Sequence, residues 1–256
     1  MKVLVFVNSL VMVGLLGSDD WRKQEYMKFT LHYSKVDENE KSAYARLIES
    51  GIESVELFFD RPFQKQVDAF IHPNRESLDS QWQKDWGVPD FKSECWMVAS
   101  GVATRLDVLS PTRWGLEACE HVYADSEKTA RLFTHELVHV YHGQQNASPD
   151  FSDAQGIDWF VEGLATYASG QCDKERLEQV IELVATGKAP GSLDMFWTGK
   201  YKYGLAGSAV MFIDKQYGRK KLSSLLPFNR TQELLASLKI SEEEFVRQWT
   251  SFVAAQ

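Results

Sequence analysis

Residues 134–143 read THELVHVYHG. His135 and His139 stand four positions apart, so on a helix they lie one turn apart on the same face. That spacing lets two imidazoles reach one zinc ion, with Glu136 beside them to take a proton from water. Two imidazoles are too few, because a catalytic zinc usually has three protein ligands and one open position. Working outward, residues 158–170, DWFVEGLATYASG, read as a second helix and carry Glu162. Gly163 and Ala165 are small enough to let the two helices pack closely around a shared metal. A zinc site on His135, His139 and Glu162 follows. The longer pattern HExxHxxGxxH of the metzincins is excluded, since His142 stands where its glycine belongs and Gln145 where its last histidine belongs. His142 is expected behind the ligands or at the rim of the site.

The rest of the chain reads as strands and one long helix first, then helices. MKFTLHYSK (27–35) alternates as a strand, and an amphipathic helix over 38–59 puts Ala45, Ile48, Ile52, Val55 and Phe59 on one face before Pro62. KQVDAFIHP (65–73) reads as a second strand, after which Asn74 caps a helix running to Trp86. Residues 95–111 read as two strands around Gly101, ending at Pro111. Asp125 or Ser126 caps the helix that holds the histidines and runs to about Gln144. Further helices follow over 174–187, 204–218 with Gly218 as its stop, and 241–253, where Ser241-x-x-Glu244 is a capping box. This order is an α+β arrangement.

The chain has 256 residues, including eight Trp and fifteen Phe, enough for a sizeable core. Its formal net charge of -8 argues against nucleic acid as a partner, because binding phosphates rests on Lys and Arg. At the amino terminus Lys2 precedes the apolar run VLVFVNSLVMVGLL and then Gly17-Ser18-Asp19-Asp20, the pattern of a secretory signal over residues 1–18, or of an uncleaved anchor if cleavage fails at Leu15-Leu16. No stretch reaches the length of a transmembrane helix beyond that possible anchor. An exported protein with Cys95, Cys119 and Cys172 can form at most one internal disulfide, and no CxxC pair suggests a thiolate zinc site. The basic run Arg219-Lys220-Lys221 follows Gly218 and reads as a charged helix start on a solvated surface.

The pair FTHELVHVYHG (133–143) and WFVEGLATYASG (159–170), with the strand MVASGVATRLDVLSP and the closing YKYGLAGSAVMFIDKQYGRKKLSSLL, resembles the gluzincin zinc metallopeptidases over residues 25–252. The pattern resembles in particular their small peptidase-MA-like branch, related to thermolysin and the zinc aminopeptidases. The resemblance implies a zincin-like α+β fold in residues 19–256, with a mixed α/β amino-terminal lobe (19–124) holding a small sheet and a mostly helical carboxy-terminal lobe (125–256). It implies one zinc per chain on His135, His139 and Glu162, Glu136 as general base, and a peptide or protein substrate. Tyr203, in preference to Tyr201, is the implied donor to the oxyanion, and residues 98–104 the implied edge strand for substrate. Two departures matter. Thr166 occupies the place of a carboxylate that would orient the first histidine; its hydroxyl can accept that hydrogen bond less basically, or Asp158, Asp153 or Glu120 can take the part from elsewhere. The stretch GxMEN, which holds a free amino terminus in zinc aminopeptidases, is missing, which favours an endopeptidase. The alternatives are a zinc-bearing binding or structural domain with weak or no turnover, and hydrolysis of an amide other than a main-chain peptide.

Overall fold

The computed structural model describes residues 20–256; the expected signal lies outside the described residues. The sheet consists of β1 (Trp21–Glu25), β2 (Phe29–Ser34), β3 (Val67–His72), β4 (Ala99–Val102) and β5 (Arg105–Leu109), and along β2 the apolar Phe29, Leu31 and Tyr33 alternate with polar residues. The strand order is β1-β2-β3-β5-β4. The central pairs β2–β3 and β3–β5 are parallel, while β1 and β4 are antiparallel to their neighbours. Phe29, Leu31, Val67, Ala69, Ile71, Leu106 and Val108 point from the sheet into the core. On the other face the Arg105 guanidinium lies 3.7 Å from the Phe70 ring centre, with His32 stacked on the same ring at 4.1 Å.

Helix α1 (Lys41–Phe59) buries the expected Ala45, Ile48, Ile52, Val55 and Phe59. It ends at Phe59, three positions ahead of Pro62, and its C-cap Asp60 adopts a left-handed φ of 53°. In α2 (Arg75–Trp86) the Asn74 side chain accepts from the Ser77 N–H at 2.8 Å, the cap its sequence predicts. The turn between β4 and β5 does not fall at Gly101. It falls at Ala103, whose φ is 44°, and Gly101 lies inside β4, where it packs against the backbone at Glu136.

After a short helix α3 (Trp114–Glu117) the chain is helical: α4 (Ser126–Gly143), α5 (Asp158–Ala168), α6 (Lys174–Ala185), α7 (Lys202–Tyr217), α8 (Arg219–Ser223), α9 (Thr231–Leu238) and α10 (Glu242–Ala254). The architecture is α+β, a mixed sheet with helices followed by a mostly helical half. The two halves share one apolar core. Arg219 is not the solvated residue its sequence context suggests. Its guanidinium lies 3.4 Å from the ring centre of Phe58 in α1, donates to the Phe58 carbonyl, and pairs with Asp214 through two bonds at 2.8 and 2.7 Å. Tyr167 in α5 donates to the same carboxylate at 2.8 Å, so α1, α5, α7 and α8 meet at one ion pair.

Asp37 is fully buried between β2 and α1 with no cation against it among the described residues. Ser110 and Tyr44 donate to its Oδ1 at 2.6 and 3.1 Å, while Oδ2 has no partner. Burial therefore raises the carboxyl above its ordinary range. A raised native pKa means that the folded state holds this proton more tightly, a stabilisation present in acid and lost as pH rises through the native value. Asp37→Asn is expected to melt higher than the unsubstituted protein at neutral pH, by on the order of 1 kcal/mol, because a neutral amide replaces a carboxylate whose charge burial disfavours. That gap should close as pH falls, which thermal melts across pH will show.

Candidate metal centre

Helix α4 starts at Asp125, whose carboxylate accepts from the Lys128 N–H at 3.1 Å. From Phe133 to Gly143 nearly every side chain is buried, because the helix lies between α1, the sheet and α5. The contact with β4 is a backbone contact: a Cβ on Gly101 would sit 2.1 Å from the Glu136 carbonyl oxygen. Gly101 is thus a residue of close approach, and it brings a sheet edge directly over the metal helix. Helix α5 is held from the opposite side. A Cβ on Gly163 would sit 2.4 Å from the Ala206 carbonyl oxygen, so the glycine beside Glu162 serves packing against α7 and not, as its position suggests, the approach to α4.

These two approaches converge three donor atoms. His135 Nε2 and His139 Nε2 are 3.1 Å apart, and Glu162 Oε2 lies 3.4 Å from the first and 3.6 Å from the second. Tetrahedral zinc with ligands at about 2.0–2.1 Å separates its ligands by about 3.4 Å. The three side chains therefore fit a zinc ion and can hold one. Two imidazoles and a carboxylate also make the borderline N/O donor set that zinc accepts. Burial alone would raise the Glu162 carboxyl, but the imidazoles of His139 and His135 outweigh it and hold the carboxyl below the usual carboxylate range. For His139 burial works against protonation, and the charge and hydrogen bond of Glu162 reverse that and raise it. Glu136 touches the same space without joining the three. Burial raises its carboxyl, with the neighbouring imidazoles and the Gly101 backbone pulling the other way.

A cleft of about 880 Å³ opens over these residues, floored by His135, Glu136, His139 and Glu162 and walled by β4 on one side. Tyr203 lies in its wall with its ring centre 6.5 Å from that of His135, and burial raises its phenol so that the hydroxyl keeps its proton. Tyr201 does not line the cleft; it precedes α7 as its N-cap and carries Lys200 over its ring. His142 is neither ligand nor rim. It is fully buried, its Nε2 donates to the Leu226 carbonyl at 3.1 Å, and burial pushes its pKa down to about 3.

The orienting partner of His135 is missing. Its buried Nδ1 has no hydrogen-bond partner among the described residues, and neither does the buried Oγ1 of Thr166. Asp158, Asp153 and Glu120 are exposed and do not take that place. The wall beyond β4 is a feature sequence reasoning missed. Trp82, Trp86, Trp96 and Trp114 line it, and the Cys95–Cys119 disulfide, with a Cα separation of 5.3 Å, fastens the two loops that carry the last of them. Cys172 is the free thiol. Tryptophan count alone hints at such a surface but not at where it forms.

No protein-family model matches the chain, and no curated protein matches it. Among solved structures it is similar to the M1 zinc metallopeptidase from Deinococcus radiodurans, with a TM-score of 0.47 at 16% identity. A mutant of that enzyme gives 0.48 at 16% identity, and a two-domain M1 zinc metallopeptidase mutant bound to L-tryptophan gives 0.46 at 17%. Each match covers 90% of this chain and 51% of the other, so the chain spans about half the length of the structures it matches.

Titration with zinc, followed by calorimetry, is expected to give one ion per chain, and His139→Ala or Glu162→Ala should abolish it. Zinc at about a hundredfold excess over its dissociation constant should add about 2.7 kcal/mol of stability to the unsubstituted protein and none to those variants. Gly163→Ala should lower stability by about 1–3 kcal/mol, as overpacking does, and weaken zinc binding by moving Glu162.

Proposed function

We propose that the protein is a zinc-dependent metallopeptidase that hydrolyses peptide bonds, with His135, His139 and Glu162 as the metal ligands and Glu136 as general base. The observation that carries this reading is Glu136. It sits between the two histidines in sequence and lines the cleft floored by the three donor atoms, and burial raises its carboxyl above the ordinary carboxylate range. A purely structural zinc site has no use for that carboxylate. Zinc bound here would supply Lewis-acid polarisation of a carbonyl and ease the ionisation of water. Glu136 would take the proton from the attacking water and return it to the leaving amine. Tyr203 would donate its hydroxyl proton in a hydrogen bond to the developing oxyanion.

Substrate would lie extended against β4. That strand is the sheet edge beside the metal helix, so its outer N–H and C=O groups are placed to pair with a peptide backbone. The missing GxMEN stretch favours an endopeptidase. The Cys95–Cys119 pairing supports an oxidising compartment and thus export. One observation favours the second reading, a zinc-bearing domain with weak turnover: His135 lacks a partner at Nδ1, and such partners commonly account for tenfold to a hundredfold in metal affinity or activity.

Cleavage of a mixed peptide library, read by mass spectrometry, tests the proposal. Internal cleavage is expected from zinc-loaded protein, lost with a chelator and reduced by about 10²–10⁴ in Glu136→Gln. Full zinc occupancy without cleavage of any peptide would favour the second reading. Tyr203→Phe should lower kcat by about 10²–10³ while KM moves little.

A further inference from the structure

Four cationic side chains line the cleft, and three of them already have carboxylates. Lys128 pairs with Asp125 at 3.5 Å, Arg131 with Glu127 at 2.5 Å and Asp173 at 3.3 Å, and Arg176 reaches Asp173 at 4.0 Å and donates to the Gln171 carbonyl at 2.6 Å. Lys202 is the fourth and differs. Among the described residues it has no carboxylate within ion-pair distance and no hydrogen bond. Its ammonium is instead set among three rings, 4.5 Å from the centre of Trp197, 5.3 Å from Tyr203 and 5.5 Å from Trp96.

Helix electrostatics does not explain this placement. Lys202 is the first residue of α7, where a cation opposes the helix dipole, and the first turn contains no acidic residue to offset it. The rings explain how the side chain is held. A cation over an aromatic face gains about 0.5–2 kcal/mol, depending on its exposure to water. They leave the charge uncompensated, however, and all three N–H donors unused by the protein. Trp96 comes from the disulfide-fastened wall, Trp197 from the 3-10 turn Leu193–Trp197, and Tyr203 from the turn that faces His135, so the cage stands at the mouth of the metal site.

We propose that Lys202, oriented by Trp96, Trp197 and Tyr203, is the specificity residue of the cleft and recognises a carboxylate on the peptide. This rests on the peptidase reading of the same site. The carboxylate is either an Asp or Glu side chain or the free carboxy terminus of the peptide. An ammonium held by rings on one side offers its remaining donors to one anion, and charge-assisted bonds in a partly desolvated cleft are stronger than exposed ion pairs.

The test measures binding, so that it does not depend on turnover. Fluorescein-labelled peptides are titrated by fluorescence anisotropy against zinc-loaded full-chain protein carrying Glu136→Gln. One set compares Glu with Gln at each position, and a second compares a free carboxy terminus with its amide. The carboxylate member of at least one set is expected to bind about tenfold more tightly, and the set that shows the preference identifies the source. That preference should vanish with Lys202→Met, return with Lys202→Arg and shrink as salt is raised. Should the methionine variant fail to fold, judged by its melt, Lys202→Gln takes its place. Matched pairs that bind alike, a preference that survives loss of the lysine, or no peptide binding at all would each overturn the proposal. Failure of the peptidase reading is separate, since it appears as absence of cleavage by the unsubstituted protein.

Discussion

Three acceptor atoms within 3.1–3.6 Å of one another repel unless a cation or a proton lies between them, and the rest of the structure is arranged to keep them there. Side-chain packing alone would not bring them so close. The sheet edge presses on α4 through the bare backbone at Gly101, and α7 presses on α5 through the bare backbone at Gly163. Interiors are packed too tightly for either element to retreat without moving its neighbours. The spacing of the three donor atoms is therefore a property of backbone contacts on both sides of the helix pair, and the side chains themselves only report it.

Much of this was legible in the sequence. The four-residue spacing of His135 and His139, the apolar stripe of α1 and the caps at Asn74, Asp125 and Ser241 are local signals, and local signals survive folding. The misses are long-range. WRKQE shows no apolar alternation, so β1 is a strand only because β2 is there to pair with it. Gly101 looks like a turn residue and is a packing residue, since nothing in the sequence says that α4 lies against it. Arg219 looks like surface charge, and only the fold brings Phe58, distant in sequence, beneath its guanidinium.

Around the disulfide the aromatic wall of the cleft has little regular structure, and its backbone is satisfied in another way. Arg75 donates to the carbonyls of Glu94, Cys95, Met97 and Glu117 and to the Ser93 hydroxyl, gathering the loops on either side of the disulfide onto the start of α2. Buried or half-buried loop carbonyls need donors, and a guanidinium supplies five from one side chain. The covalent bond and this hub together hold Trp96 where the lysine of α7 meets it, which makes the wall a fixed surface.

His135 is the least supported member of the centre. A carboxylate in the place of Thr166, which the resemblance leads one to expect, would make a ligand imidazole more basic, but Thr166 is fully buried, and a charge there would face a large desolvation penalty that a single imidazole would have to offset. Threonine avoids that penalty and leaves Nδ1 of His135 without an acceptor. The ring is then oriented by its neighbours, edge-on to His139 at 4.8 Å and to Tyr203 at 6.5 Å. Packing fixes a ring's plane less strictly than a hydrogen bond does, and it contributes nothing to basicity. Tyr203 consequently has two parts in the proposed site: it confines the first ligand with its ring and offers the oxyanion a donor with its hydroxyl.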